Sequence, residues 1–196
     1  MEVFRLSDAG SAIYEPLLCA ARALCREYYK SLIAQGVPID DFQAFSKEID
    51  SLPSDFIPPR GGLWLALHPA NETGGPAPSS TAASADAYAE SYIVHLGCRG
   101  AYRVVGIVAL RDLGGGRGEV KRLYVREQSR RLGAATALSG ELERFAKACG
   151  YTEVVLDTLA RLKAANALYA RLNFQLCEDY NGNPMSDAIF MKKLLL

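Results

Sequence analysis

A chain of 196 residues, 49% apolar and 22% charged, has the make-up of one globular domain large enough to bury a core. Twenty-two basic residues balance 22 acidic ones for a formal net charge of zero, which removes any global field for nucleic acid or an anionic membrane. Five scattered cysteines with no C-x-x-C pair, and only two histidines, leave neither a disulfide framework nor a metal set to be expected.

Val3–Leu6 reads as a first strand. From Ser11 to Ala34 apolar residues recur on one helical side (Leu17, Leu18, Ala21, Leu24, Cys25, Tyr28, Leu32), until Gly36 and Pro38 break the pattern. A second helix is expected from about Asp41 to Ser51, stopped by Pro53, and a strand at Leu63–Leu67. Residues 69–90 are mostly small, Gly, Pro and Ser/Thr residues that cannot build a core; they read as a flexible insertion inside a single domain spanning 1–196. Strands resume at Tyr92–Leu96 and Val104–Leu110. Gly114–Gly118 lacks the Gly-Lys-Ser/Thr of a phosphate loop and reads as a hairpin turn into the strand Glu119–Val125.

A helix follows over Gly133–Cys149, with Leu138, Leu142, Phe145 and Cys149 at helical spacing and Gly150 as its stop. Then come a strand at Val154–Leu156, a helix at Leu162–Leu172 ending near Asn173, and a closing pair of strands at Gln175–Glu178 and Ala188–Leu194. The longest apolar runs are too short to span a bilayer, and Met1–Asp8 has neither the basic nor the apolar region of a signal peptide, so a cytoplasmic chain is expected. The pattern is α/β with a mixed, twisted sheet.

The chemistry concentrates between Leu123 and Thr136. An apolar strand end leads through a polar turn into a small-residue helix start spaced Arg130-x-x-Gly133-x-Ala135. The first N–H groups of a helix have no intrahelical partner, and the macrodipole leaves them partly positive. Gly133 and Ala135 keep side chains clear of the amides of Leu132, Gly133, Ala134, Ala135 and Thr136, and Arg130 and Arg131 add cationic charge at the mouth. The segment reads as a pyrophosphate cradle.

The ordered combination of strand, R-x-x-G-x-A, helix, strand and then Ala165-Asn-Ala-Leu-Tyr-Ala-Arg-Leu-Asn-Phe174 resembles the GCN5-related N-acetyltransferase (GNAT) family. The resemblance covers residues 103–194, and residues 1–67 more loosely. It implies a mostly antiparallel twisted sheet flanked by helices, and acetyl-CoA as co-substrate. It also implies main-chain pairing of Leu123 and Val125 with the pantetheine amides, where the family's sheet splays apart.

By the same resemblance, Glu119, eleven residues before Arg130, is a candidate general base; period-2 geometry places it on the face of Leu123 and Val125. A salt bridge to Lys121, its i+2 neighbour, is the alternative. Tyr169 takes the place of a tyrosine near the thioester sulfur, against a core-packing role. Many relatives carry an asparagine where this chain has Leu162; Asn166, one turn before Tyr169 and in a different register, is a candidate coenzyme contact. The acceptor half, with Tyr28, Tyr29, Phe42, Gln43 and Arg60, yields no assigned residue, and Tyr180 with the Asn181–Pro184 turn is a candidate wall for the opposite side. The function expected is N-acetylation of a primary amine, of a small molecule, by direct attack in a ternary complex. An acyl-CoA-binding module and a protein acetyltransferase are the alternatives, and the resemblance leaves room for a homodimer.

Overall fold

The computed structural model describes residues 1–7, 9–38, 42–70 and 92–195. The elements run β1 (Glu2–Arg5), α1 (Tyr14–Ala34), α2 (Phe42–Ser51), β2 (Gly62–Pro69), β3 (Ile93–His95), β4 (Ala101–Asp112), β5 (Arg117–Val125), α3 (Ala134–Ala148), β6 (Glu153–Leu159), α4 (Lys163–Arg171), β7 (Gln175–Leu176) and β8 (Ala188–Leu194). The strands form one sheet in the order β1-β2-β4-β5-β6-β8-β7, with β3 paired to the start of β4. Every pairing is antiparallel except β5 with β6. This is the mixed, mostly antiparallel sheet that the sequence implies. The flexibility expected of the 69–90 insertion falls mainly outside the described residues.

Two apolar clusters flank the sheet. Leu17, Leu18, Ala21, Leu24 and Cys25 of α1 pack with Leu63, Leu65, Leu67, Val104, Ile107, Ala109 and Tyr124 on one face. Leu138, Leu142 and Ala146 of α3 pack with Trp64, Ala66, Val105, Val108, Leu110 and Val120 on the other. The β4 run Val104–Leu110 therefore feeds both cores, which is why it reads as continuously apolar. Pro16 sits in the first turn of α1, where a missing N–H costs nothing. Gly150 (φ +77°) and Asn173 (φ +64°) take left-handed conformations just past α3 and α4, as their positions suggested. None of the described helices is long and apolar enough to cross a membrane.

One polar residue ties α1 to the sheet. Glu27 accepts hydrogen bonds from the hydroxyls of Tyr92 (2.8 Å) and Tyr124 (3.0 Å) and pairs with Arg126 Nε at 3.1 Å. Arg126 also lies over the Tyr92 ring at 3.9 Å. Glu27→Ala would strand the Arg126 guanidinium and the Tyr124 hydroxyl, Tyr92 keeping a 3.3 Å bond to the Ala23 carbonyl, and breaking such a partly buried set costs about 2–4 kcal/mol. Urea unfolding should register that loss; a change below about 0.5 kcal/mol, the size of an ordinary surface substitution, would show the hub to be solvent-compensated.

Candidate functional site

The site is organised by an irregularity in β5. Lys121 pairs with Ala109 and Tyr124 with Ile107, so Arg122 and Leu123 stand opposite Val108 alone. Arg122 adopts φ +58°, the left-handed region that non-glycine residues rarely occupy. Its guanidinium is held by a forked pair with Glu48 of α2, Nε to Oε1 at 3.0 Å and Nη2 to Oε2, and packs over Phe45 at 5.0 Å. One extra residue inverts the alternation. Val120, Leu123 and Val125 face the α3 cluster, whereas Glu119, Lys121 and Arg122 face α1 and α2. The expectation that Glu119 shares a face with Leu123 and Val125 is therefore corrected: counting by twos across a bulge puts it on the wrong side.

Beyond Glu119, β5 and β6 part. Their parallel pairing covers only Arg117–Glu119 against Glu153–Val155. Arg126 donates its N–H to Val105 of β4 at 3.0 Å, so by strand alternation Tyr124 also turns to β4 while Leu123 and Val125 turn their main chain to the gap. The Val125 carbonyl already accepts a bond from Arg130 Nε at 3.1 Å. Immediately downstream, Arg131 (φ +64°) and Gly133 (φ +83°) are left-handed, and α3 begins at Ala134 with Gly133 as its N-cap and no side-chain cap. A Cβ on Gly133 would meet nothing within 4 Å, so the approach to the amides there is open. Arg130, Arg131, Leu132, Gly133 and Thr136 are exposed, Ala135 half-buried and Ala134 buried. The helix start, the gap and the edge of β5 thus form one continuous track.

On the α1/α2 face a row of polar side chains crosses the sheet. Glu119, fully buried, receives Arg111 Nε at 2.9 Å and Nη2 at 2.5 Å on Oε2. Its Oε1 accepts the Tyr180 hydroxyl at 3.0 Å and lies 3.5 Å from Lys121 Nζ. Lys121 also pairs with Asp157 Oδ1 of β6 at 3.3 Å, and Asn183 Nδ2 bonds Asp157 Oδ2 at 2.7 Å. The expected Glu119–Lys121 contact is present, but as the weaker of two ion pairs on this carboxylate. Arg111 and Asp157 were not anticipated, whereas Tyr180 and Asn183 belong to the segment expected to wall the side opposite the acceptor half; the four come from β4, β6 and the loop between β7 and β8. A depression of about 460 Å³, lined in part by Asp55, Arg60, Arg111 and Asp112, opens at the outer end of this row and gives Arg111 its exposure.

Tyr169 lies at the gap from the α4 side, edge-on to Phe174 at 5.8 Å and beside Val120 and Leu123. Its hydroxyl makes no hydrogen bond to the described residues, and burial, with Tyr28 and Asp157 nearby, pushes its pKa up. Asn166 donates its amide to the carbonyls of Leu159 (3.0 Å) and Ala160 (3.4 Å), clasping the end of β6; its Oδ1 is buried without a partner. Of the acceptor-half residues, Tyr28 packs on Tyr124 at 5.3 Å and Tyr29 stacks on Phe45 at 4.4 Å. Arg60 is drawn away to Asp112 at 2.7 Å, and the side chains of Phe42 and Gln43 lie outside the described residues.

Burial works to raise the Asp157 carboxyl, but Lys121 and Asn183 outweigh it and hold it below its ordinary value of 3.8. Its folded value is therefore depressed: the stability it adds is present above the ordinary carboxylate range and is lost as pH falls through the lower folded value. Lys121→Met removes the main counterweight and leaves the burial. The Asp157 carboxyl should then titrate higher by carbon NMR, and acid unfolding should begin at higher pH; an unmoved titration would mean that Asn183 alone suffices.

The chain matches the model of the acetyltransferase (GNAT) family over residues 63–174. It is 39% identical over 89 residues to an uncharacterised N-acetyltransferase of Schizosaccharomyces pombe, a match covering 45% of this chain and about half, 55%, of that relative. The fold is similar to that of a GNAT-family acetyltransferase of Staphylococcus aureus (TM-score 0.63, 14% identity, all of both chains). It is also similar to the PaiA N-acetyltransferase of Thermoplasma acidophilum in complex with coenzyme A (TM-score 0.52, 18% identity, 99% of each chain). The family match covers more than half of the chain and includes the cradle, the bulged strand and the Leu-Tyr pair of α4: this protein belongs to the GNAT acetyltransferase family.

Proposed function

We propose that the protein is an acetyl-CoA-dependent N-acetyltransferase that moves an acetyl group to a primary amine of a small molecule by direct attack in a ternary complex. The observation that carries this reading is the gap between β5 and β6, which meets the open helix start on one side and the polar row on the other. Acetyl-CoA fits the residues present. The uncapped amides at Gly133–Thr136 offer donors to a pyrophosphate, Arg130 and Arg131 add charge, and the main chain of Leu123 and Val125, whose Val125 carbonyl is shared with Arg130, offers a strand edge to the pantetheine. Asn166 Oδ1, buried without a partner, supplies an acceptor for a further amide there. Bound, the coenzyme supplies an activated acyl group. The neutral chain carries no field that would favour a strongly charged polypeptide tail over a small amine.

The protein's own part is threefold. The Leu123 amide, at the bulge, polarises the acyl oxygen as charge builds there. Tyr169 hydrogen-bonds the departing sulfur. A thiol near 8.5 leaving beside a tyrosine near 10 already makes full proton transfer uphill by roughly 2 kcal/mol, and burial raises the tyrosine further, so it donates a bond and keeps its proton. Glu119 is the terminal proton acceptor for an alkylammonium that is almost wholly protonated at neutral pH. Its complete burial and its four contacts favour a second reading, a purely structural carboxylate in an acyl-CoA-binding module.

Thiol release over a panel of alkylamines decides between enzyme and binder. Glu119→Gln should lower kcat/KM on the order of 10²–10⁴-fold at pH 7, less at high pH where the amine is already neutral, with acetyl-CoA affinity unchanged. Near-parent turnover with lowered thermal stability would select the structural reading. Gly133→Asp should abolish acetyl-CoA binding in calorimetry by placing an anion over the amides. Its left-handed backbone costs about 1–2 kcal/mol in stability but leaves the fold. Parent-like binding would misplace the cradle.

A further inference from the structure

We propose that Tyr180 is the group that touches the acceptor amine and carries its proton to Glu119. The inference rests on the reading above, in which Glu119 finally holds that proton. Glu119 has no exposed surface, so an amine in the gap does not reach it directly. Among the described residues, three side chains touch its carboxylate: Arg111, Lys121 and Tyr180. Guanidinium and ammonium groups are donors only, with no lone pair to receive a proton. A phenol is both donor and acceptor. The Tyr180 hydroxyl spends its hydrogen on Glu119 Oε1 at 3.0 Å, which leaves its oxygen lone pairs for a donor on the side away from the carboxylate.

The surroundings suit a relay and not a tyrosinate. Arg111 of β4, Glu119 and Lys121 of β5, Asp157 of β6 and Cys177 beyond β7 are the titratable groups about it, and Phe190 of β8 packs edge-on at 5.8 Å. Burial, then the Glu119 and Asp157 carboxylates, push the Tyr180 pKa up, so the phenol remains protonated and works only by exchanging one proton for another. In the step, an N–H bond of the ammonium breaks as an O–H bond forms at Tyr180. The original Tyr180 O–H bond breaks as one forms at Glu119 Oε1. The phenol ends neutral, the carboxylate becomes an acid, and the nitrogen gains the lone pair that forms the C–N bond as the C–S bond breaks. The second nitrogen proton neutralises the released thiolate, and Glu119 returns its proton to solvent by the reverse path. A positive charge leaves the ammonium as one negative charge disappears beside Arg111 and Lys121, so the net charge of the site is unchanged.

The test uses the alkylamine that the parent protein acetylates fastest, with Tyr180→Phe, Glu119→Gln and the double variant. Tyr180→Phe should lose kcat/KM on the order of 10²-fold or more with acetyl-CoA affinity kept within two-fold. The double variant should fall no further than the worse single one, as expected for groups acting in series. Both losses should shrink with an arylamine, which is neutral at pH 7. If Tyr180→Phe turns over normally while Glu119→Gln does not, the relay is overturned and Glu119 as base survives. If Glu119→Gln is also normal, or no amine is acetylated, the underlying reading fails with it. Should Tyr180→Phe not fold, the solvent-isotope dependence of the parent decides: a bowed proton inventory supports two protons in flight, and a linear one overturns the relay.

Discussion

The left-handed Arg122 in the middle of β5 is the constraint from which the rest of the site follows. A non-glycine residue in that conformation costs about 1–2 kcal/mol, and a strand gains nothing locally by adopting it. The compensation comes from outside the strand, through the forked bond to Glu48 and the stacking on Phe45, both on α2. In return the strand changes which side chains it shows to each face halfway along. Before the bulge it presents Val120 to the α3 core; after it, Leu123 and Val125 take over that face. On the opposite face Lys121 and Arg122 stand consecutively, which an unbroken strand cannot arrange. Bulges gather beside functional sites because they re-aim side chains in this way.

The face turned to α1 and α2 therefore carries an unusual density of charge, and each charge is matched across an element boundary. Glu119 meets Arg111, Lys121 meets Asp157, Arg122 meets Glu48 and Arg126 meets Glu27. Partly buried pairs of this kind are weak evidence for stability, since desolvation cancels much of the Coulombic gain, while removing one member leaves an uncompensated charge. What they do supply is fixed orientation. Dipoles and charges that need not reorganise when charge develops nearby are the cheapest form of electrostatic assistance. The other face of the same strand is apolar throughout, so the strand divides a polar wall from a hydrophobic floor at the point where β6 leaves it.

Most of the architecture was legible because its signals are local. The α1 stripe, the two-core run of β4, the glycine hairpin at 114–116 and the stop at Gly150 each follow from neighbours within a turn or a strand. The open helix start was legible for the same reason, all of it lying between Arg130 and Thr136. Glu119 was legible as a candidate but not in its facing, because alternation carries no mark of an inserted residue. Tyr180 and the Asn181–Pro184 turn were legible as a candidate wall, but their meeting with Arg111, Glu119 and Asp157 was not: the sheet order β4-β5-β6-β8 brings these groups together, and no spacing along the chain encodes that order. Asn166 shows the opposite limit. Its position suggested a ligand contact, yet both its donor bonds go to the backbone at the end of β6, leaving only the oxygen uncommitted.

The proposed site divides unequally between continuous and assembled parts, and this has a consequence for how such a protein can vary. From Glu119 to Thr136 the carboxylate, the bulge, the free strand edge and the helix start lie on one unbroken stretch of chain, pinned to β4 through Val105 and to itself through Arg130 and Val125. The separation between the open helix-start amides and the gap is thus set by backbone geometry along one stretch of chain. The polar wall has no such guarantee. It depends on α2 docking through Glu48, on the loop that carries Tyr180 and Asn183, and on Arg111 one strand away. Substitutions in those assembled elements can reshape the polar wall while the track along β5 and the helix start keeps its dimensions, so on the proposed reading acceptor choice is the freer of the two properties.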